Sequence, residues 1–547
     1  MFNEAFQQHG QETSECDGKL TWDMDTEERR GLATRIRLKC EKCSYLSNMY
    51  NLYMELPSKT RGRRPAAVNY GLQIGLSQTS IGNSSLRKIL MATNTPPPAE
   101  SSLQKSSNTV MQKVIDINKH DMSKRCNNLV NINKLRGVQN PNTVSIQCDG
   151  MYNNALYSGV GETPFQPATQ TVFSIAENLT KNHDIVGLVT KNKICPMRQH
   201  LKDLPSHTCS GEICGANIPM TQNIGDEFTW AKEGMEGLLD NNLAIKDVTS
   251  DPDSTICKAA ESLHTEGKLK NKPSHYLDTR HLAENVRKSL KKDEALQGIM
   301  PKRSKAERRR LLQNFAIDFT DRCTAEVNQA HALYAGHAQK IKKQLSYASD
   351  AIVGCYMGEH AFCKKHSLVC NGGKKNWLKR SPYLENDFKI TASCANGTIL
   401  RACVNKRLAP SVLVKTILNS NTQKVESFNR RLRRSLPKNV TFPRNFHGRA
   451  HSAAHSTNNG PGESLEALCA GVGAPIPEGG SVSRALKQIQ LDFKRHKLYE
   501  KCDKYKNNRV ARRKKLYQLH RKHQEETKYR KNMMLPHTSS TIKKTLA

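Results

Sequence analysis

Val144-Ser145-Ile146-Gln147-Cys148-Asp149-Gly150 decides the fold class. Val144, Ile146 and Cys148 alternate with Ser145, Gln147 and Asp149, the period of two that gives a β-strand one apolar and one polar face. Gly150 interrupts the pattern, so the strand is expected to end at Asp149, on its polar side. Thr171-Val172-Phe173-Ser174-Ile175 and Ile185-Val186-Gly187-Leu188-Val189 predict the next two strands. Glu233 to Asn241 predicts a helix and Leu243 to Thr249 a fourth strand, running into Ser250-Asp251-Pro252-Asp253-Ser254. Asp253 or Ser254 can cap a helix whose Ile256, Ala259, Ala260 and Leu263 share one face. His275-Tyr276-Leu277 predicts a short strand, followed by a helix from Asp278 to Lys292. Three strands followed by helices alternating with strands give a mixed α/β sheet.

Outward from that core, composition divides the chain. Residues 1–60 form a polar start with one cysteine pair, and 61–143 mix a helical stretch with polar runs such as Thr95-Pro96-Pro97-Pro98. The sheet region occupies 144–294. Residues 295–420 predict a mainly helical insertion, and 421–445 return to the core with a helix built on Val425, Phe428 and Leu432. Residues 446–482, rich in Gly, Pro, Ser and His, read as a loop; 483–547 form a basic tail, helical to about 535. No internal repeat is found.

The 547 residues suggest three or four structural units. Lys and Arg number 85 against 50 Asp and Glu, a formal charge of +35. Such an excess repels itself in the compact state and suits a polyanionic partner; a merely soluble basic surface is the alternative. No apolar run of about 18 residues occurs, so no membrane-spanning helix is expected. The N-terminus lacks a charged segment followed by an apolar one, so no signal peptide is expected. The 17 cysteines are then expected as reduced thiols, some of them metal ligands.

Three acids carry the candidate chemistry. Phosphodiester cleavage without a covalent enzyme intermediate needs an activated water and a stabilised leaving oxygen, which two metal ions roughly 4 Å apart can provide. Mg²⁺ and Mn²⁺ prefer oxygen ligands, so carboxylates must converge from separate element ends. Asp149 stands at the end of the first strand and Asp251 at the end of the fourth, with Asp253 two residues on. Glu426 lies in Val425-Glu426-Ser427-Phe428-Asn429, where Glu426, Asn429 and Arg433 share a helix face beside the apolar one. Taken singly, each Asp also reads as a turn or cap residue, and Glu426 as a solvated helix position.

Taken together, Cys148-Asp149-Gly150, then Ser250-Asp251-Pro252-Asp253-Ser254, then Glu426-Ser427-Phe428-Asn429 resemble the signature of Mutator-like transposases. His275-Tyr276-Leu277-Asp278-Thr279-Arg280-His281 resembles that superfamily's Cys-x-x-His motif, with Asp278 where Cys is usual and His281 kept. Arg29-Arg30-Gly31-Leu32-Ala33 followed by Cys40 and Cys43 resembles the start of the animal Mutator-like domain. His451-Ser452-Ala453-Ala454-His455 through Gly462-Glu463-Ser464 resembles a segment near its end. The likeness spans roughly residues 25–515. It implies a ribonuclease-H-like DDE core, matching the predicted element order, with a helical insertion between the second Asp and the Glu. It implies that Asp149, Asp251 and Glu426 hold two Mg²⁺ or Mn²⁺ ions, with Asp253 a supporting residue or alternative ligand. It implies cut-and-paste chemistry: water attacks at a transposon end, and the freed 3′-hydroxyl then attacks target DNA. Double-stranded DNA as partner, a homo-oligomer and a nuclear location follow. His281 either lies near the scissile phosphate or is a packed, hydrogen-bonded histidine. The alternative to an enzyme is an inactive transposon-derived DNA-binding or chromatin protein, for which the Asp278 departure is the motive.

Structural zinc is the further expectation. Cys40 and Cys43 have ligand spacing but make half a tetrahedral site. Cys195, His207, Cys209 and Cys214 form a second candidate, and His360, Cys363, His366 and Cys370 the densest one; buried or idle thiols are the alternative. In the tail, Arg509, Arg512, Arg513, Lys514 and Lys515 can neutralise phosphates, serve as a nuclear localisation signal, or simply be solvated. Arg430 and Arg433, beside Glu426, are candidate DNA contacts. Arg61-Gly62-Arg63-Arg64-Pro65 reads as a minor-groove hook or a flexible linker.

Overall fold

The structure is a computed structural model that describes residues 2–57, 62, 64–153, 168–195, 214–219, 222–252, 255–385 and 387–526; the side chains of 514, 517 and 521–526 lie outside that description. Its centre is a five-stranded mixed sheet of β1 (Thr143–Tyr152), β2 (Gln170–Glu177), β3 (Ile185–Asn192), β4 (Ala244–Ser250) and β5 (Ser274–Leu277). The order is β5-β4-β1-β2-β3. β1, β2 and β3 pair antiparallel, whereas β4 and β5 run parallel to β1. Parallel neighbours need crossover connections, supplied here by α2 (Glu227–Asp240) before β4 and α3 (Thr255–Thr265) before β5.

Both faces of the sheet are covered, which is why β2 is buried at every position. Phe173 and Ile175 pack with Val144, Ile146 and Cys148 of β1, against Trp230 and Met235 of α2 and Ile256 of α3. Val172 and Ala176, on the opposite face, pack against Val425, Phe428 and Leu432 of α8 (Gln423–Ser435). Period-two alternation thus delivers two cores from one strand. Asp149 shares its parity with Met151, which belongs to the core beneath α8.

Before the sheet lies a 36-residue helix, α1 (Glu100–Leu135). After β5 comes α4 (Thr279–Leu290), whose Val286 and Leu290 join the separate core of the helical insertion. That core is built from α5 (Lys305–Leu333), α6 (Ala338–Tyr356) and α7 (Cys394–Leu408). The tail is α11 (Ser481–Lys501) and α12 (Asp503–Glu526). No helix among the described residues is long and apolar enough to cross a membrane.

Three expectations need correction here. Residues 446–482 are not a loop but hold α9 (Phe446–Asn459) and α10 (Pro461–Val472). Their glycines and small polar residues are contact residues: a Cβ on Gly448 would stand 2.5 Å from Met111, and one on Gly471 2.5 Å from Ile117, both on α1. His451 and Ser452 are buried and bonded, to Asn118 at 2.9 Å and Ser77 at 2.7 Å. The first strand, moreover, does not stop at Asp149. Pairing continues from Asp149↔Ser174 to Tyr152↔Thr171, so β2 carries β1 past Gly150. The predicted helix at 233–241 begins earlier, at Glu227, because Asp226 caps it by accepting from the Thr229 N–H.

Candidate active site

Register brings the first two acids together. Gln147 on β1 pairs with Thr249 on parallel β4; Asp149 and Asp251, each two residues further along, leave that pair at the same level. Leu277 of β5 pairs with Ser250, and the Asp278 N–H donates to Ser250 O at 2.8 Å. Just past the parallel pairing of β1, β4 and β5 the chain therefore presents Asp149, Asp251 and Asp278 along one edge, the usual ligand-facing edge of an open α/β sheet.

Glu426 arrives from α8. Its helix buries Val425, Phe428 and Leu432 and leaves Glu426 and Asn429 on the shoulder of that stripe. Asn429 Nδ2 donates to Asp149 Oδ2 at 2.8 Å, tying α8 to β1. Asp149, Asp251, His281, Glu426 and Asn429 line one cavity, rimmed by Arg280, Arg430, Arg433 and Lys438. Asp253 lies outside the described residues.

His281 connects two of the acids. Its Nε2 is 2.9 Å from Glu426 Oε1 and its Nδ1 3.6 Å from Asp251 Oδ2. Burial opposes its protonation, but the Glu426 hydrogen bond and the Asp251 and Asp278 charges outweigh it and raise the pKa above the ordinary imidazole value. Asp278, where the resemblance has Cys, is fully buried and fully used. Oδ1 caps α4, accepting from the N–H of Arg280 at 2.6 Å and of His281 at 2.8 Å. Oδ2 accepts from Thr422 N at 2.6 Å and Thr422 Oγ1 at 2.7 Å. One carboxylate thus sets both the helix that carries His281 and the start of the helix that carries Glu426. That integration gives Asp278 a structural part at the position where the resemblance has Cys.

A further carboxylate was missed in the sequence. Glu227, the first residue of α2, accepts from the Tyr152 hydroxyl at 2.9 Å. Its Oε1 lies 3.1 Å from where a Cβ on Gly150 would stand, so a side chain at 150 would press on it. The signal available was the Asp226-x-x-Thr229 cap with an acid in the first helical turn. Burial, then the charges of Asp251 and Glu227, raise the Asp149 carboxyl to about 7, against the pull of the Asn429 hydrogen bond and with a further push from Glu426. The carboxylates are in each other's fields. Asn429 Oδ1 is also buried without a hydrogen-bond partner. Crowded hard oxygen donors fit a divalent cation such as Mg²⁺ or Mn²⁺.

The Cys/His candidates fare unevenly. In the insertion, His360, Cys363 and Cys370 gather with Cys355 rather than with His366, their donor atoms all within 4.8 Å of one another. The reason is local: the short helix Ala361–His366 buries Cys363 and turns His366 onto Tyr347, ring centroids 4.9 Å apart, while α6 supplies the buried Cys355 from its last turn. Cys40 and Cys43 meet His9 and Cys16. Cys195 is buried and Cys214 half-buried, but His207 and Cys209 lie outside the described residues. In the tail, Arg509, Arg512, Arg513 and Lys515 are exposed along α12, and the Lys514 side chain lies outside the description. Arg61 and Arg63 lie outside it as well.

Curated proteins give no match. A solved structure, the Drosophila P element transposase strand transfer complex, is similar over 74% of this chain and 95% of that one, at 12% identity and a TM-score of 0.28; a likeness that faint carries no argument. The family model described as Mutator-like transposase matches residues 1–370, a span that includes Asp149, Asp251 and His281 and ends before Glu426. With about two thirds of its length matched by that model, the chain belongs to the Mutator-like transposase family.

Proposed function

We propose that the chain is a DDE-type DNA transposase with a ribonuclease-H-like core, in which Asp149, Asp251 and Glu426 hold two divalent cations. The observation that carries this reading is the convergence of three acids, from segments more than a hundred residues apart, on one cavity in which the other carboxylates crowd Asp149. Bound Mg²⁺ or Mn²⁺ supplies activated water and stabilises the leaving oxygen. The chain's own residues do the positioning. Asn429 directs the Asp149 carboxylate, and His281 fixes Glu426 beside Asp251. Arg430, Arg433 and Lys438 on the rim offer cations to DNA phosphates. Synapsis of two transposon ends calls for a homo-oligomer, and the substrate places the work in the nucleus.

Nicking of supercoiled plasmid and joining of a 3′-hydroxyl oligonucleotide, each with Mn²⁺, test the proposal. Wild type is expected to be active. Asp149→Asn, Asp251→Asn and Glu426→Gln are expected to bind DNA yet lose both reactions. Activity persisting in Asp149→Asn or Glu426→Gln sinks it, because the cations would have lost a charged ligand.

A further inference from the structure

Far from the sheet in sequence, residues 2–51 fold as a helix (Phe2–Glu12), a two-stranded pair (Leu20–Trp22 with Leu38–Cys40) and a three-stranded antiparallel sheet (Glu28–Arg30, Ala33–Ile36, Tyr50–Asn51). The core shared by the helix and the strand pair is Ala5, Leu20, Leu38, Cys40 and Tyr45. A core this small rarely holds a module together without a cross-link. His9, Cys16, Cys40 and Cys43 meet beside it, their donor atoms all within 4.8 Å of one another. They come from the helix, the turn after it, the end of a strand and the turn beyond that strand.

We propose that His9 Nε2 and the sulfurs of Cys16, Cys40 and Cys43 form a closed, structural Zn²⁺ site that fastens the N-terminal helix to the strand pair. Tetrahedral Zn²⁺ with bonds of about 2.3 Å to sulfur and 2.0 Å to nitrogen sets donor atoms roughly 3.5–3.8 Å apart. Cys16 Sγ and Cys40 Sγ are 3.6 Å apart, and His9 Nε2 lies 3.3 Å from Cys43 Sγ. Three thiols and one imidazole are a soft donor set that selects Zn²⁺ over Mg²⁺. Backbone N–H groups already point at two of the sulfurs, Gly18 N at Cys16 and Lys42 N at Cys40, each at 3.4 Å. Such donors support a sulfur that carries negative charge. Gly18 is required by the same closure: a Cβ there would stand 2.3 Å from Cys40 Sγ. Four protein ligands leave no open position, so the site holds structure and does no chemistry.

Zinc content of the full-length protein, purified reduced and without chelator, is the direct measurement. His9→Ala and Cys43→Ser are each expected to lose one zinc per chain relative to wild type, and Cys126→Ala, a buried thiol outside both Cys/His groups, to lose none. Wild-type protein guards against a variant that simply misfolds. After chelator treatment, amides of residues 2–12 are expected to exchange at least about tenfold faster, and Zn²⁺ but not Mg²⁺ to restore protection. Unchanged zinc content in both variants overturns the proposal. So does helix protection indifferent to chelator, or recovery of Cys16 and Cys40 from freshly purified protein as a disulfide.

Discussion

Two sets of carboxylates in this chain, one fully buried in the insertion and one half-buried at the sheet edge, have opposite surroundings. In the insertion, Asp318 accepts from the Tyr356 hydroxyl at 2.6 Å, the Trp377 indole N–H at 3.0 Å and the Ser381 hydroxyl. Nearby Glu326 pairs with Arg322 at 3.0 Å and accepts from Ser367 and the Leu368 N–H. In the cavity at the sheet edge, Asp149 accepts one side-chain hydrogen bond, from Asn429, while Asp251, Glu227 and Glu426 press on it. Burial raises the pKa of Asp149 and Asp318 alike, but at Asp318 three donors and Arg322 pull it back. An acid that serves the fold comes with its donors. Asp149 has one such donor, the arrangement expected of an acid that waits for a cation.

Exchanging the two kinds of loss gives the largest expected effect. Glu426→Gln is predicted to leave the unfolding midpoint within a few degrees of wild type and to cut Mn²⁺-dependent cleavage at least about 10³-fold, the several kcal/mol that a held metal contributes. Asp318→Ala is predicted to do the reverse. It strands three donors, one of them the fully buried Tyr356 hydroxyl, and costs about 3 kcal/mol or more of stability, with cleavage per folded molecule unchanged. Denaturant melts beside cleavage rates decide the matter. A Glu426 variant as unstable as Asp318→Ala would make the cavity acids structural too.

Asp278 sharpens the comparison because it sits at the cavity edge yet is satisfied like an insertion acid. Asp278→Ala removes the cap of α4, worth about 1 kcal/mol, and both bonds to Thr422. Stability should fall by about 2 kcal/mol. Cleavage should fall by about tenfold or more through displacement of His281 and Glu426, since small misplacements of catalytic groups are costly. Asp278→Asn, which keeps the capping oxygen, should recover part of both. An alanine variant with a normal rate but lowered stability would show that Asp278 positions nothing.

Much of this division could be read along the chain, and the exceptions have physical causes. Period-two alternation exposed β1 and short apolar stretches exposed β2 to β4, and Asp149 and Asp251 stood out because they fall just past the parallel pairing of β1 and β4. Glu426 was legible from the apolar stripe beside it. Gly150 misled the reading of β1, since a glycine that spares room for Glu227 looks the same as one that ends a strand. α9 and α10 were illegible because their burial rests on glycine, alanine and paired polar groups, not on large apolar side chains. Cys40 and Cys43 could be seen, but His9 and Cys16 join them only through tertiary folding, as Cys355 joins His360, Cys363 and Cys370.

The crowding of Asp149 predicts a pH dependence. Asp149 binds a proton more tightly folded than unfolded, at about 7 against an ordinary carboxyl value of 3.8. Between those values the folded state holds more protons, so metal-free stability contributed by this group declines as pH rises through that window. Asp149→Asn abolishes the titration. Thermal melts in chelator should show wild type losing ground to Asp149→Asn from pH 4 to 8, by a few degrees. Mn²⁺ at pH 8 should stabilise wild type and leave the variant nearly unmoved. Parallel pH curves for the two proteins would mean that the neighbouring carboxylates do not burden Asp149.

The smallest effect concerns the rim. Arg430 and Arg433 are exposed on α8, one and two turns beyond Glu426, and both line the cavity mouth. If they meet phosphates, each releases about one counterion, so the double alanine variant should bind duplex DNA a few-fold more weakly. Its log affinity against log salt should be flatter by roughly two. Arg509→Ala with Arg512→Ala, on the exposed tail helix, should flatten the same slope while leaving cleavage of prebound DNA alone. The rim pair should also slow cleavage at saturating DNA, because its phosphates lie beside the acids. Equal behaviour of the two pairs would make the rim part of a diffuse basic surface and detach it from the cavity.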